Sequence, residues 1–189
     1  MFMSDFDRKK LIEMVLYILE KTGGLDYYRI FKVLYFAERK HLAKWGSRFV
    51  PDDFCALPNG PVPTRLYDAV KRMKNSGKSD EDILARGLCT SVCFAGDDAP
   101  NVLLPNHLSN KDYFSMSEKE VLDESIRENA RLSFSELKAK SHDAAWQEAD
   151  AKGKGLKVIS PLSMAKVLCS DKNMLGYIQE QMEISSILA

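Results

Sequence analysis

An apolar stripe of helical period opens the chain. Leu11, Met14, Val15, Ile18 and Leu19 recur at three- and four-residue intervals, and Gly23-Gly24 follows at once. Such spacing puts one greasy face on a helix, and glycine accepts the left-handed conformation that stops it. Asp26 then caps a second helix, with Leu25 and Ile30 placed as a hydrophobic staple. Phe31, Leu34, Tyr35, Glu38, Leu42 and Trp45 mark one side of that helix, which Gly46 closes. The two helices are expected to pair as an antiparallel hairpin.

Downstream, the punctuation changes. Pro51, Pro58, Gly60 and Pro61 break any periodicity from 47 to 62, and Pro63 pushes Val62 away from the α region and suits the first position of a third helix. Leu66, Tyr67, Val70 and Met73 give that helix a core face, and Asn75-Ser76-Gly77 ends it. From Ile83 to Leu108 the helical period is lost. Leu88, Thr90, Val92 and Phe94, then Val102 to Leu104, read as two extended segments joined at Gly96-Asp97-Asp98, so a β-hairpin is expected. Ser117/Glu120 and Ser133/Glu136 have capping-box spacing, Ser160-Pro161 starts a further helix, and Met174, Leu175, Ile178 and Met182 mark a last amphipathic one. The fold class is therefore mainly α: a compact helical domain with a small β-hairpin packed against the helices, residues 1–189 forming one domain.

Composition narrows function. Charged residues balance at 27 basic and 27 acidic, whereas duplex binding draws on a surplus of cations. No basic-then-apolar leader is seen, and no stretch reaches the ~20 apolar residues of a membrane span, so a cytoplasmic protein is expected. Four irregularly spaced cysteines, Cys55, Cys89, Cys93 and Cys169, suit buried free thiols. If extended, Cys89 and Cys93 lie about 13 Å apart, too far for one zinc unless a tight turn forms at Thr90-Ser91. No metal and no cofactor are expected.

Ser141-His142-Asp143 has the residue types of a hydrolytic triad. Consecutive side chains diverge by about 100° on a helix and point to opposite faces on a strand, so they cannot form the relay that activates a serine. His142 is expected to be satisfied locally. Tyr27 and Tyr28 are adjacent, so at least one must reach the surface, where tyrosine commonly anchors a partner. Leu57-Pro58-Asn59-Gly60-Pro61-Val62-Pro63 is a rigid turn delivered to a helix N-terminus. Its free N–H groups suit an anion unless Asn59 or Thr64 occupies them. Arg65, Lys71, Arg72, Lys74 and Lys78 form a basic stripe on the third helix. It is a solvated face or, alternatively, a phosphate contact.

Three stretches taken together resemble a known family: Phe31 to Glu38 with His41-Leu42, the Gly60-Pro61-Val62 turn with Leu66-Tyr67, and Ser141-His142 with Trp146. The combination resembles the Panacea, or SocA-like antitoxin, domain of phage-associated and toxin–antitoxin proteins of bacteria, over about 25–146. Asn59 departs from the aromatic or small residue common before Gly-Pro-Val, and the helical extension at 156–189 lies outside. The resemblance implies an antitoxin that neutralises a toxin encoded next to it, in one kind as an adaptor to a protease such as a Clp-type machine. It transfers no catalytic residue. Tyr27, Tyr28, Tyr35, Asn59, Arg65 and His142 are the candidate partner contacts, and Gly60, Pro61, Val62, Tyr67 and Trp146 the candidate structural motif. The alternatives are a DNA-associated regulator of its own operon, or an enzyme centred on the Gly60–Pro63 turn and His142.

Overall fold

In the computed structural model, which describes residues 3–76, 82–153 and 155–187, the first stripe forms helix α1 (Asp5–Thr22). Ser4 caps its start in a capping box with Asp7, and Gly23 ends it at φ 73°. Leu25–Asp26 make a two-residue strand, β1, before Asp26 caps α2 (Tyr27–Trp45) by accepting from the Arg29 N–H. Gly46 closes α2 in the left-handed region. These boundaries are as read from the caps.

The Pro-rich stretch is more ordered than its composition suggests. Phe54–Leu57 (β2) and Gly60–Pro63 (β3) pair antiparallel around a two-residue loop, Pro58-Asn59. Residues 157–159 run along the other edge of β2, with Ala56 N–H donating to Lys157 O and Ile159 N–H to Phe54 O. Pro63 is the last residue of β3, not the first of a helix; α3 runs Thr64–Ser76. The N-terminal donors of α3 are already filled, and by neither Asn59 nor Thr64. Asp52 accepts from the Arg65 and Leu66 N–H groups at 3.2 and 2.9 Å. Burial pushes the Asp52 carboxyl up to about 6, although these backbone donors pull the other way.

The following segment corrects a second expectation. Residues 83–91 are helical (α4, Ile83–Ser91), and only then do β4 (Val92–Phe94) and β5 (Val102–Pro105) form the expected hairpin. The short β1 joins them, giving the antiparallel order β1-β5-β4. Cys89 therefore lies on a helix and Cys93 on a strand, half-buried and exposed, and of the four thiols only Cys55 is buried. A single 3-10 turn (Lys111–Tyr113) leads to α5 (Met116–Asn129), whose capping box is Ser115/Glu118, two residues before the expected pair. Ser117 instead meets His41 Nε2 at 3.3 Å. Then come α6 (Phe134–Ser141), with the expected Ser133/Glu136 box, α7 (Ala144–Asp150), α8 (Pro161–Lys166), begun by Ser160 and Pro161, and α9 (Lys172–Ile187). The fold is mainly helical with small antiparallel sheets.

The organising element is α2. From Ile30 to Leu42 nearly every residue is buried, as in a helix surrounded on all sides. It packs chiefly against α5, α8 and β3, while α1 lies against α4, β5 and α5, so the first two helices are not a closely packed pair. Because α2 is enclosed, its polar side chains must find partners inside. Glu38, fully buried, accepts from the Phe49 and Val50 N–H groups at 3.1 and 3.0 Å and from Arg48. Glu38→Ala would orphan two buried donors, each costing about 1–3 kcal/mol. It should therefore lower stability by about 3 kcal/mol in urea unfolding; a loss under about 1 kcal/mol would show that Glu38 does not hold this loop.

Candidate functional site

The β2–β3 hairpin reaches its tip at Leu57–Pro61, where proline removes N–H donors and leaves carbonyls to be satisfied. Side chains from three helices supply the donors. Trp146 Nε1 donates to Leu57 O at 3.1 Å, the Tyr28 hydroxyl to Asn59 O at 3.0 Å, and Lys32 Nζ to Pro61 O at 2.7 Å. Lys138 Nζ holds Asn59 Oδ1 at 3.3 Å. Gly60 has φ 95°, and a Cβ there would run into Ser141 Oγ and come within 3.1 Å of Lys32 Nζ. Only glycine lets the tip settle between them. The Gly60-Pro61-Val62 motif is thus a clamped turn, with Pro61 and Val62 buried.

Lys32 is the residue that sequence reasoning missed. It is fully buried, makes its one hydrogen bond to a neutral carbonyl, and lies 4.6 Å from the centre of the Tyr28 ring. No carboxylate pairs with it among the described residues. Burial lowers its pKa to about 7, because a low-dielectric surrounding disfavours the ammonium. One signal for it was available: a lone lysine inside Ile30-Phe31-Lys32-Val33-Leu34-Tyr35-Phe36.

Behind the hairpin, the Ser141-His142-Asp143 tripeptide joins α6 to α7. Ser141 Oγ donates to Lys138 O. Asp143 caps α7 through the Trp146 N–H and accepts from the Tyr35 hydroxyl and Arg39. The His142 ring stacks on Trp146, centroids 3.7 Å apart and 5° from parallel. Its Nε2 is buried and has no hydrogen-bond partner among the described residues, so the local satisfaction expected for His142 is not found. Burial, then Lys138 and Lys32, lowers its pKa. Trp146 lies on α7 and ties it to β2.

In front of the hairpin lies an open cleft of about 770 Å³. Tyr27, Tyr28, Phe31, Tyr67 and Phe134 wall it, the hairpin tip forms one rim, and residues 98–102 another. Tyr28 and Phe134 rings are 4.6 Å apart, and Phe31 stands edge-on to Tyr67 at 6.1 Å. Of the candidate contacts, Tyr27, Tyr28 and Asn59 meet here. Tyr35 does not: it is fully buried and its hydroxyl serves Asp143. Arg65 lines a separate depression with Arg8, Asp68 and Arg72. His142 and Trp146 stand behind the hairpin. The basic stripe divides as well, with Arg65 and Arg72 in that depression and Lys71 and Lys74 over Tyr67 and Tyr27; Lys78 lies outside the described residues. Phe134, 48% exposed, was not singled out from the sequence, although it opens a helix with a capping box. Among the described residues no group of three or more His, Cys, Asp or Glu is placed to hold a metal, and no helix is long and apolar enough to cross a membrane.

The Lys32 shift sets a pH window. Its folded pKa, about 7, lies below the ordinary lysine value of 10.5, so the folded state binds fewer protons in between. The stability contributed by the neutral amine is then fully present above about 10.5 and is lost as pH falls through 7. Lys32→Met should flatten the rise in melting temperature between pH 7 and 10 relative to the unmodified chain. Parallel curves for the two proteins would mean that Lys32 is not the titrating group.

A family model described as Antitoxin SocA-like, Panacea domain matches residues 30–147, a span that contains the clamped hairpin, most of the aromatic wall and the Ser141–Trp146 junction. No curated protein and no solved structure shows a significant match. With more than half of the chain covered, including Gly60-Pro61-Val62 and the clamping residues Lys32, Lys138 and Trp146, the protein belongs to the SocA-like antitoxin family of Panacea domains.

Proposed function

We propose that the protein is an antitoxin that neutralises a toxin encoded beside it by direct, stoichiometric binding, and that the tyrosine-walled cleft is the contact surface. The observation that carries this reading is a partly exposed aromatic cleft, of whose walls Phe31, Tyr67 and Phe134 lie inside the family-matched segment and Tyr27 and Tyr28 just before it. Tyrosine is enriched among the residues that dominate interface energies, because it buries a large ring at little conformational cost and keeps a polar tip. The clamp on the hairpin tip fixes one rim before any partner arrives, which reduces the ordering cost of association.

The alternatives draw less support. Ser141, His142 and Asp143 point into separate interactions, and the basic stripe is divided between two faces. An enzyme reading would rest on His142, whose ring is stacked behind the hairpin rather than facing the cleft.

The test is a co-purification with the product of the neighbouring gene, followed by titrated rescue of growth. Rescue should track the ratio of the two proteins, survive Ser141→Ala and His142→Ala where the fold survives, and be lost with the Tyr28→Ala/Tyr67→Ala pair. Rescue by trace amounts without a complex at micromolar concentration would overturn the binding mechanism. Loss of the toxin only when a cellular protease is present would identify delivery for degradation.

A further inference from the structure

Every carboxylate of α5 is already answered. Glu118 pairs with Lys10 and Asp123 with Lys21 on α1, while Glu120, Glu124 and Glu128 take Lys44 and Lys40 on α2. This acidic face holds α5 against the first two helices, and the arginines are left over. Arg127 stands four residues after Asp123 and three after Glu124, the spacing at which a helix pairs opposite charges, but both carboxylates are taken. Arg131 stands three after Glu128, which is taken too. Both arginines are exposed, and neither has a hydrogen bond, ion pair or ring contact among the described residues.

With Lys21, the two arginines line one depression of about 500 Å³ between the C-terminal ends of α1 and α5. Leu25 and Ile126 give it an apolar wall, and no carboxylate lines it among the described residues. Elsewhere the depressions mix signs: Asp26 and Asp98 accompany Arg29 in the tyrosine-walled cleft, and Asp68 and Asp82 accompany Arg8, Arg65 and Arg72. A cation at a helix C-terminus ordinarily answers free carbonyls. Here end carbonyls have other donors: Ile18 O takes the Thr22 hydroxyl, Leu19 O the Gly23 N–H and Ile126 O the Ala130 N–H. Neither arginine serves as a cap.

We infer that this depression binds a phosphoryl group, as inorganic phosphate or a small phosphate ester, held by the guanidinium groups of Arg127 and Arg131 and the ammonium of Lys21. A guanidinium presents a planar fork of donors that matches two oxygens of an oxyanion. A carboxylate has only two oxygens and fills one fork. A phosphate ester dianion has three free oxygens and two charges, enough for both forks and the ammonium. Once bound, it also offsets the repulsion between Arg127 and Arg131, like charges four residues apart. The volume is that of a small-ligand pocket, with room for the body of an ester against Leu25 and Ile126. A nucleic-acid backbone draws on cations set along successive phosphates. These cations converge on one depression, in a chain whose 27 basic residues are matched by 27 acidic ones. None of the three lines the tyrosine-walled cleft, so the inference stands apart from the antitoxin reading.

The probes are phenyl phosphate and inorganic phosphate, titrated into the isotope-labelled full chain at constant ionic strength and followed by arginine Nε–H and backbone amide shifts. Benzoate and oligodeoxythymidine of several lengths serve as comparisons. Phenyl phosphate should saturate in the millimolar range or tighter, move the Thr22, Leu25, Arg127 and Arg131 signals, and bind at least about tenfold more tightly than benzoate. Its affinity should fall as pH drops through about 6, where the ester loses its second charge, whereas arginine and lysine side chains stay charged there. Arg127→Gln/Arg131→Gln, changed only at exposed positions, should cost at least about tenfold in affinity and leave the Tyr27, Gly60 and Tyr67 amides in place. Arg131→Gln alone, beyond the end of α5, should act in the same direction should the pair disturb the helix. No saturable shift, benzoate binding as tightly, or undiminished affinity in these variants would each overturn the assignment. Affinity that climbs with oligonucleotide length, with no site for the small phosphates, would give the surface to a nucleic-acid backbone and overturn it as well.

Discussion

The structure depends on a central helix that carries charge into the interior. Lys32, Glu38, Arg39 and His41 all lie on the enclosed part of α2, and leaving one buried polar group without a hydrogen-bond partner costs about 1–3 kcal/mol, more where it is charged. That is a large fraction of the roughly 5–15 kcal/mol that holds an ordinary domain together. Each of the four therefore recruits a different segment. Lys32 takes the Pro61 carbonyl, Glu38 the Phe49 and Val50 amides, Arg39 the Asp143 carboxylate, and His41 the Ser47 carbonyl at 2.7 Å. Segments distant in sequence are located by the polar needs of one helix, while its apolar residues supply the bulk of the burial.

The cleft follows from that arrangement. Because Lys32 must donate to Pro61 O, the hairpin is drawn against α2, and Gly60 has no room for a side chain. Because Asp143 must answer Arg39 and Tyr35, the α6–α7 junction is placed so that Trp146 reaches Leu57 O from behind. The tip is then held on both sides, and the aromatic residues at the start of α2 are left facing outward across it. Burial pushes the Tyr35 hydroxyl upward, with the neighbouring Asp143 charge acting in the same direction, so it remains a proton donor in this network.

Much of this was legible where local chemistry decides. The ends of α1, α2, α6 and α8 are written in Gly23, Gly46, Asp26, Ser133 and Ser160-Pro161, and the structure keeps them. What failed was where a distant contact overrides the local pattern. The alternation of Leu88, Thr90, Val92 and Phe94 reads as one extended segment, whereas the first two stand on α4 and only the last two on β4. That helix packs on α1, close enough that the Gly87 Cα faces Ile12. Pro61 and Pro63 argue against a central strand, yet β3 is an edge strand of a two-stranded hairpin, where a missing N–H is tolerated, and Pro58 falls in the loop. Tyr27, Tyr28 and Asn59 could be picked out from adjacency and the turn, whereas Tyr35 shares their residue type and is consumed by the core. Lys32 could not be assigned a role without its partner, a carbonyl 29 residues away.

The central claim is that the hairpin tip is held rigid from within by α2 and the α6–α7 junction, before any partner binds. Amide hydrogen exchange of residues 54–60 in the free protein tests it most directly, since exchange reports the free energy of local opening. The account predicts protection comparable to that of the buried middle of α2, and a selective loss of protection at the tip when Lys32 is replaced. Rapid exchange at 54–60 in the free protein, with protection gained only in a complex, would contradict it.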